Sequence, residues 1–227
     1  MVDLDACQKI LDYQYKNIHL LDLALTHRSY LNENKNINES NERLEFLGDA
    51  VLELVTSNFL FLKFPDMPEG KLTNLRSKIV QTKTLAAISL KMNINKFLKL
   101  SHGEAEAGGN QNISLLADLM EAVIGSIYLD GGFEKAQQFI TKHILNNYQK
   151  IISELEVEDW KSKLQEWVQA NNGSAPTYEV VNEEGPDHQR VFTVDVSFFN
   201  KVQATGKGKS KQKAQQNASK NALSNIK

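Results

Sequence analysis

Glu42, Glu45 and Asp49 stand at i, i+3 and i+7 of the run Glu42-Arg-Leu-Glu-Phe-Leu-Gly-Asp49. On a helix turning about 100° per residue they share one face with Glu53, while Leu44, Leu47, Val51, Leu54 and Val55 gather on the opposite side. Carboxylates stacked at these spacings repel one another, and Arg43 points elsewhere. A hard divalent cation such as Mg²⁺, which takes oxygen ligands, is the simplest neutraliser. A second acidic pair strengthens that reading. Leu115 to Leu129 is apolar almost all round, yet it holds Asp118 and Glu121 one turn apart, with no Lys or Arg in the run. Carboxylates in a largely buried helix are costly unless paired or metal-bound. The two acidic helices together point to a carboxylate metal site.

The elements that must position these groups are helical over residues 1–150. Asn32 to Ser40 is a polar loop, and Ser40 or Asn41 is suited to cap the acidic helix that follows. The segment Phe64-Pro-Asp-Met-Pro-Glu-Gly70 breaks the pattern and puts Glu69 at a helix start, where a carboxylate complements the dipole. The pattern predicts one helix from Leu72 to Leu90 and a glycine-bearing loop from Ser101 to Asn110. It then predicts the buried acidic helix, stopped by Gly131-Gly132, and a last helix from Phe133 to Ile152.

The pattern changes at Ser153 to Asp159, a short acidic stretch that reads as a linker, taken as residues 151–158 between domains at 1–150 and 159–227. Beyond it come a helix from Trp160 to Ala170, an extended run from Thr177 and a turn at Gly185-Pro186. Phe192, Val194, Val196 and Phe198 then alternate with polar residues, as in a half-buried strand. A third extended piece at Val202 to Gly206 precedes a helix with Ala214, Ala218 and Ala222 on one stripe, small enough to lie close against a sheet. The fold class expected is therefore multidomain, an all-α domain followed by a small α+β domain of order α-β-β-β-α. Lys207, Lys209, Lys211 and Lys213 crowd the start of the last helix, where backbone N–H groups already favour an anion. Lysines there oppose the dipole, so the pattern points to phosphate binding.

Composition narrows the class. The net charge of −2 argues neither for nor against nucleic acid, but its distribution is uneven. Residues 201–227 carry seven lysines and no acid, whereas residues 153–195 carry ten acids against three bases, which allows a local basic face on a nearly neutral chain. The single cysteine, Cys7, excludes an internal disulfide and a thiolate zinc site and fits a reducing compartment. No apolar run approaches the roughly 20 residues that span a bilayer, and Asp3, Asp5, Lys9 and Asp12 interrupt the start of the chain. The expectation is a soluble, cytoplasmic protein with no membrane partner. No His-x-x-x-His or Glu-x-x-His spacing suggests zinc hydrolase or di-iron chemistry.

Asn41-Glu-Arg-Leu-Glu-Phe-Leu-Gly-Asp-Ala-Val-Leu52 resembles the signature of bacterial ribonuclease III over its full length, and Leu116-Ala-Asp-Leu-Met-Glu-Ala-Val-Ile-Gly125 is similar to that family's second acidic motif. Lys161-Ser-Lys-Leu-Gln-Glu166, Gly185-Pro-Asp-His188 and Gly206-Lys-Gly-Lys-Ser-Lys211 resemble its double-stranded RNA-binding domain. The resemblance implies a helical endonuclease domain that forms a homodimer through the signature helix. It implies Glu45, Asp49, Asp118 and Glu121 as the metal-binding set, with Asp49 and Glu121 the most critical to catalysis, and Mg²⁺ as cofactor with Mn²⁺ as a substitute. It places Glu42 and Glu69 nearer to RNA placement. Ser162, Gln165 and Gln169 would meet one minor groove, Pro186 and His188 the next, and Lys209, Ser210 and Lys211 the phosphates between. The chain departs from the family pattern at Gln212, where a second lysine is usual; this implies weaker or redistributed RNA affinity.

The expected activity is Mg²⁺-dependent cleavage of both strands of duplex RNA, giving 5′-phosphate and 3′-hydroxyl ends with short 3′ overhangs. The resemblance implies precursor ribosomal RNA and some messenger and transfer RNA precursors as substrates. Two rival readings are a non-catalytic duplex-RNA binder and a metal-dependent phosphohydrolase of small substrates. The first has no need of Asp118 and Glu121 in an apolar helix, and the second has no need of the lysines from Lys207 to Lys213.

Overall fold

Apolar residues at helical spacing organise the first part of the chain around one central helix. The computed structural model describes residues 2–149, 160–186 and 190–226, and the chain divides into two compact units, residues 1–151 and 152–227. In chain order the helices of the first unit are α1 (Leu4–Leu11), α2 (Ile18–Ala24), α3 (Arg28–Leu31), α4 (Glu42–Lys63), α5 (Glu69–Val80), α6 (Thr82–Met92), α7 (His102–Glu106), α8 (Ile113–Gly131) and α9 (Phe133–His143). Helix α8 packs against α2, α4, α6 and α9. Its Leu116, Leu119, Met120, Val123, Ile124 and Ile127 are fully buried, each contributing about 1.5–3 kcal/mol by removal from water. The Asn112 side chain opens α8 by accepting from the backbone N–H groups of Ser114 and Leu115. Gly132, at φ +81°, closes it.

Two glycines set how close α4 and α8 come. A Cβ built on Gly48 would overlap the carbonyl of Glu121, and one on Gly125 would overlap the carbonyl of Leu44. Each glycine therefore admits the backbone of the other helix where a side chain would hold it away. Around this crossing Leu44, Val51, Leu52 and Val55 of α4 are buried. The apolar face of α4 is wider than the core that covers it. Leu54 was expected on the buried side, but it is 57% exposed, because it lies about 120° round the helix from Gly48.

Elsewhere the first unit departs from the sequence expectations in local ways. Leu72 to Leu90 is not one helix: Gln81 takes an extended ψ of 147°, and Thr84 Oγ donates to the Lys78 carbonyl, so the freed end of α5 is satisfied by α6. The expected last helix is interrupted after His143 by a 3₁₀ turn over Leu145–Asn147, and Tyr148 and Gln149 are helical again. This change of pitch buries both Ile144 and Leu145, adjacent residues that a continued α-helix would point about 100° apart. The glycine-bearing loop contains α7 and a 3₁₀ turn, Gly109–Gln111. Asn41 holds the cap position of α4 without capping it; its side chain donates to the Ala24 carbonyl instead.

The second unit follows the expected order. Helix α10 (Trp160–Ala170) precedes strands β1 (Thr177–Glu184), β2 (Val191–Phe198) and β3 (Lys201–Gly208), and α11 (Lys211–Asn225) ends it. The strands form an antiparallel sheet in the order β1-β2-β3. Leu164 and Val168 of α10, Val196 and Phe198 of β2, and Ala218 and Ala222 of α11 form its core. The alanine stripe lies against Gly206, where a Cβ would overlap the backbone of Ala218 and Ala214. The linker expected at 151–158 lies outside the described residues. Among the described residues no helix is long and apolar enough to cross a membrane.

In a helix interior Gly→Ala ordinarily gains roughly 0.5–1 kcal/mol. Gly48→Ala is expected to reverse that sign and destabilise the protein by roughly 1–3 kcal/mol or more, because the new methyl overlaps the backbone of α8. Urea unfolding of the variant checks this, and a stabilised variant would show that the helices part freely.

Candidate functional site

The crossing of α4 and α8 brings three of the four expected ligands together. Glu45 lies one turn before Gly48, Glu121 one turn before Gly125, and Asp118 a turn earlier still. Each offers a carboxylate oxygen, and these oxygens lie within 4.8 Å of one another. All three side chains are half-buried. Asp49 is exposed and stands outside that triplet, yet its charge bears on both Glu45 and Glu121.

The electrostatics follow from burial among like charges. Burial, then Asp49, Asp118 and Glu45, push the Glu121 carboxyl up to about 8. Burial and the neighbouring Asp118, Glu42 and Asp49 raise Glu45. Burial also raises Asp118, opposed by the positive side of His27, by a backbone hydrogen bond and by Arg28. Among the described residues no Lys or Arg forms an ion pair with Glu45, Asp49, Asp118 or Glu121. Oxygen ligands of one small octahedral cation lie between about 2.9 Å and 4.2 Å apart, so a triplet of oxygens within 4.8 Å of one another is of a size that one cation can draw together. The donors are all hard oxygens, and beyond the partial offset of His27 and Arg28 at Asp118 their charge lacks a paired cation among the described residues, which fits a divalent cation.

His27 and Arg28, which the sequence reading passed over, lie at the edge of this cluster. The His27 ring caps α3, its Nδ1 accepting from the Ser29 N–H at 3.2 Å. Burial holds the His27 imidazole below its usual range, partly offset by Glu104, Asp118 and Glu42. Arg28 pairs with Glu42 at 3.6 Å, both side chains exposed. The signal in the sequence was a His-Arg pair at a helix start before an acidic helix. Glu42 also accepts from Ser40 Oγ at 3.0 Å. Glu69 opens α5 and accepts from Thr73 Oγ at 2.8 Å, which is the dipole-complementing position expected for it.

In the second unit Lys207, Lys209, Lys211 and Lys213 are exposed around the start of α11. The Ser210 side chain caps that helix by accepting from the Lys213 N–H at 3.2 Å. Gln165 and Gln169 are exposed on α10, and Ser162 is half-buried. Pro186 is exposed beyond Gly185, whose φ is +92°. His188 lies outside the described residues.

The raised Glu121 carboxyl has a consequence for stability. Between the ordinary value of 4.5 and about 8, the folded metal-free protein holds a proton that the unfolded chain releases. Stability conferred below that window is therefore lost as pH rises through it. Glu121→Gln is expected to flatten this dependence and to exceed the wild type at pH 8.5 by about 1–2 kcal/mol, after screening by solvent. Thermal melts in chelator across pH 5 to 9 check it; a wild type that gains stability over this range would contradict the assignment.

Comparison with known proteins identifies the family of each unit. A ribonuclease-III-like family model matches residues 17–148, and a double-stranded RNA binding motif matches residues 160–226. Ribonuclease 3 of Bdellovibrio bacteriovorus is 47% identical over 212 residues, 93% of this chain and 91% of that protein. Ribonuclease 3 of Carboxydothermus hydrogenoformans is 46% identical over 226 residues, 99% and 96% of the two chains. Among solved structures, the ribonuclease III nuclease domain of Campylobacter jejuni matches with a TM-score of 0.60 at 39% identity, covering 65% of this chain and 99% of that one. With the acidic crossing in one unit and the lysine-fronted helix in the other, the chain belongs to the ribonuclease III family of endoribonucleases.

Proposed function

We propose that this protein is a Mg²⁺-dependent endoribonuclease that hydrolyses both strands of double-stranded RNA and leaves 5′-phosphate and 3′-hydroxyl ends with short 3′ overhangs. The carrying observation is the half-buried triplet Glu45, Asp118 and Glu121 without a paired cation, in one chain with a double-stranded RNA binding motif. Glu45, Asp49, Asp118 and Glu121 hold the cation, with Mn²⁺ as a substitute for Mg²⁺. A divalent ion supplies a bound water of lowered pKa and neutralises charge on the phosphate oxygens. The chain's own part is to hold these carboxylates on two helices packed in close contact. Water adds to phosphorus as the bond to O3′ breaks, and the departing O3′ takes up a proton, which leaves the 3′-hydroxyl and the 5′-phosphate.

The second unit selects the substrate. An A-form duplex is read by shape, 2′-hydroxyls and phosphates over about 16 base pairs. Ser162, Gln165 and Gln169 on α10 meet one minor groove, Pro186 and His188 the next, and Lys209, Ser210 and Lys211 the phosphates between. Glu42 and Glu69 help to place the RNA beside the cluster. The substrates proposed are precursor ribosomal RNA and some messenger and transfer RNA precursors, in the cytoplasm.

The working form proposed is a homodimer built on α4. Phe46 is 80% exposed at a groove lined by Leu20, Leu23, Leu44, Leu47 and Leu129 together with the polar Asn38, Glu39, Ser40, Glu42 and Arg43. An exposed ring beside a leucine-bearing groove suits a two-fold pairing in which each ring enters the other copy's groove. Phe46→Asp is expected to give monomers in sedimentation equilibrium at micromolar concentration; an unchanged dimer would place the interface elsewhere.

The nuclease itself is tested with a long perfect RNA duplex, with Mg²⁺ or with EDTA. The wild type is expected to shorten the duplex only with Mg²⁺. Glu121→Gln is expected to lower the rate at saturating RNA by at least about a hundredfold while binding is kept. Binding by the wild type without cleavage across divalent ions would favour a non-catalytic RNA binder, and products lacking the 5′-phosphate would contradict the bond assignment.

A further inference from the structure

We propose that Glu183 is a built-in competitor for the RNA-binding lysine Lys211 and thereby limits how tightly the second unit holds duplex RNA. The inference rests on the reading of Lys211 as a phosphate contact. The Glu183 carboxylate on β1 is shared between two cations: one oxygen lies 3.3 Å from Lys211 Nζ and the other 3.5 Å from Arg190 Nη1. Strand register brings this about, because Glu183 pairs with Phe192 on β2, and Phe192 pairs with Gly208 on β3, just before α11. Lys211 Nζ also lies 5.5 Å from the centre of the Phe192 ring.

In the RNA-free protein Lys211 is therefore already occupied by an anion. A phosphate that reaches Lys211 must displace the Glu183 carboxylate or share the lysine with it, and the carboxylate then repels it. Arg190 keeps Glu183 in place after Lys211 turns away, so the opposing charge stays beside the phosphate path. The Phe192 ring lies beside Lys211 in the paired position. A single free phosphate gains little from this exchange. A duplex that also engages α10 and the neighbouring lysines offsets it.

The three side chains are 60%, 37% and 42% exposed for Lys211, Glu183 and Arg190, so the competing pair is a surface pair of modest strength. The test is equilibrium binding of the full-length protein to a blunt RNA duplex in EDTA, over a salt series. Glu183→Gln, which keeps the shape and removes the charge, is expected to tighten binding about two- to fivefold. It is also expected to steepen the salt dependence by up to about one unit of log K per log salt. Lys211→Gln is expected to weaken binding, and adding Glu183→Gln to it is expected to bring no gain. Loss of affinity in Lys211→Gln together with an unchanged or weakened Glu183→Gln would overturn the competitor and leave Lys211 as a phosphate contact. A gain that persists in the double variant would also overturn it, since the effect would then not pass through Lys211. Unchanged binding in Lys211→Gln would reject the reading on which the inference rests.

Discussion

The close crossing of α4 and α8 at Gly48 and Gly125 is the constraint on which the first unit depends. Without a side chain at either position, the carbonyls of Glu121 and Leu44 come against the facing helix. Side chains one turn away on each helix are then forced to face one another across the contact. Glu45 and Glu121 are those side chains, and Asp118 follows one turn before Glu121. The same contact thus closes the core and assembles the acidic cluster. A wider crossing filled by larger residues would cover a comparable core, but it would separate the carboxylates.

Placing charged groups on a helix as buried as α8 works against stability, and the structure shows where. Glu121 is pushed up to about 8 by burial among like charges, while Val123 and Ile124 beside it are wholly buried in the core. The apolar packing of α8 tolerates the opposition because it is extensive, and that rigidity is what a metal site needs. Ligands on packed helices hold their spacing better than ligands on loops. Local consistency fails at Asp118 and Glu121, the positions to which the proposed metal site assigns ligands.

Much of this was legible in the residue pattern. The acidic faces, the buried character of α8, its stop at Gly132 and the α-β-β-β-α order all follow from periodicity and turn residues. What was not legible depends on contacts between distant segments. Gly48 and Gly125 look like ordinary helix-interior glycines until the two helices are laid together. Leu54 belongs to the apolar face of α4 on a helical wheel, but how much of that face the neighbours cover is a property of the packing. The break at Gln81 is set by Thr84 reaching back to the Lys78 carbonyl, a geometry that helix propensity does not encode. The separation of Asp49 from the close triplet has the same origin, since the wheel gives direction around α4 and not distance to α8.

The chain also solves an electrostatic problem by dividing it between its units. A site that holds a cation has to be acidic, yet the substrate is a polyanion that such a site repels. The net charge of −2 conceals local clustering: Glu45, Asp118 and Glu121 gather where α4 and α8 cross, and Lys207, Lys209, Lys211 and Lys213 gather at the start of α11. In the function proposed, phosphate attraction, which is long-ranged and falls steeply with salt, falls to a unit separate from the acidic cluster. The Glu183 pair with Lys211 belongs to this logic. An enzyme that must release its cut products gains nothing from holding them as tightly as its lysines allow, and a carboxylate beside the phosphate path lowers affinity without altering the acidic cluster.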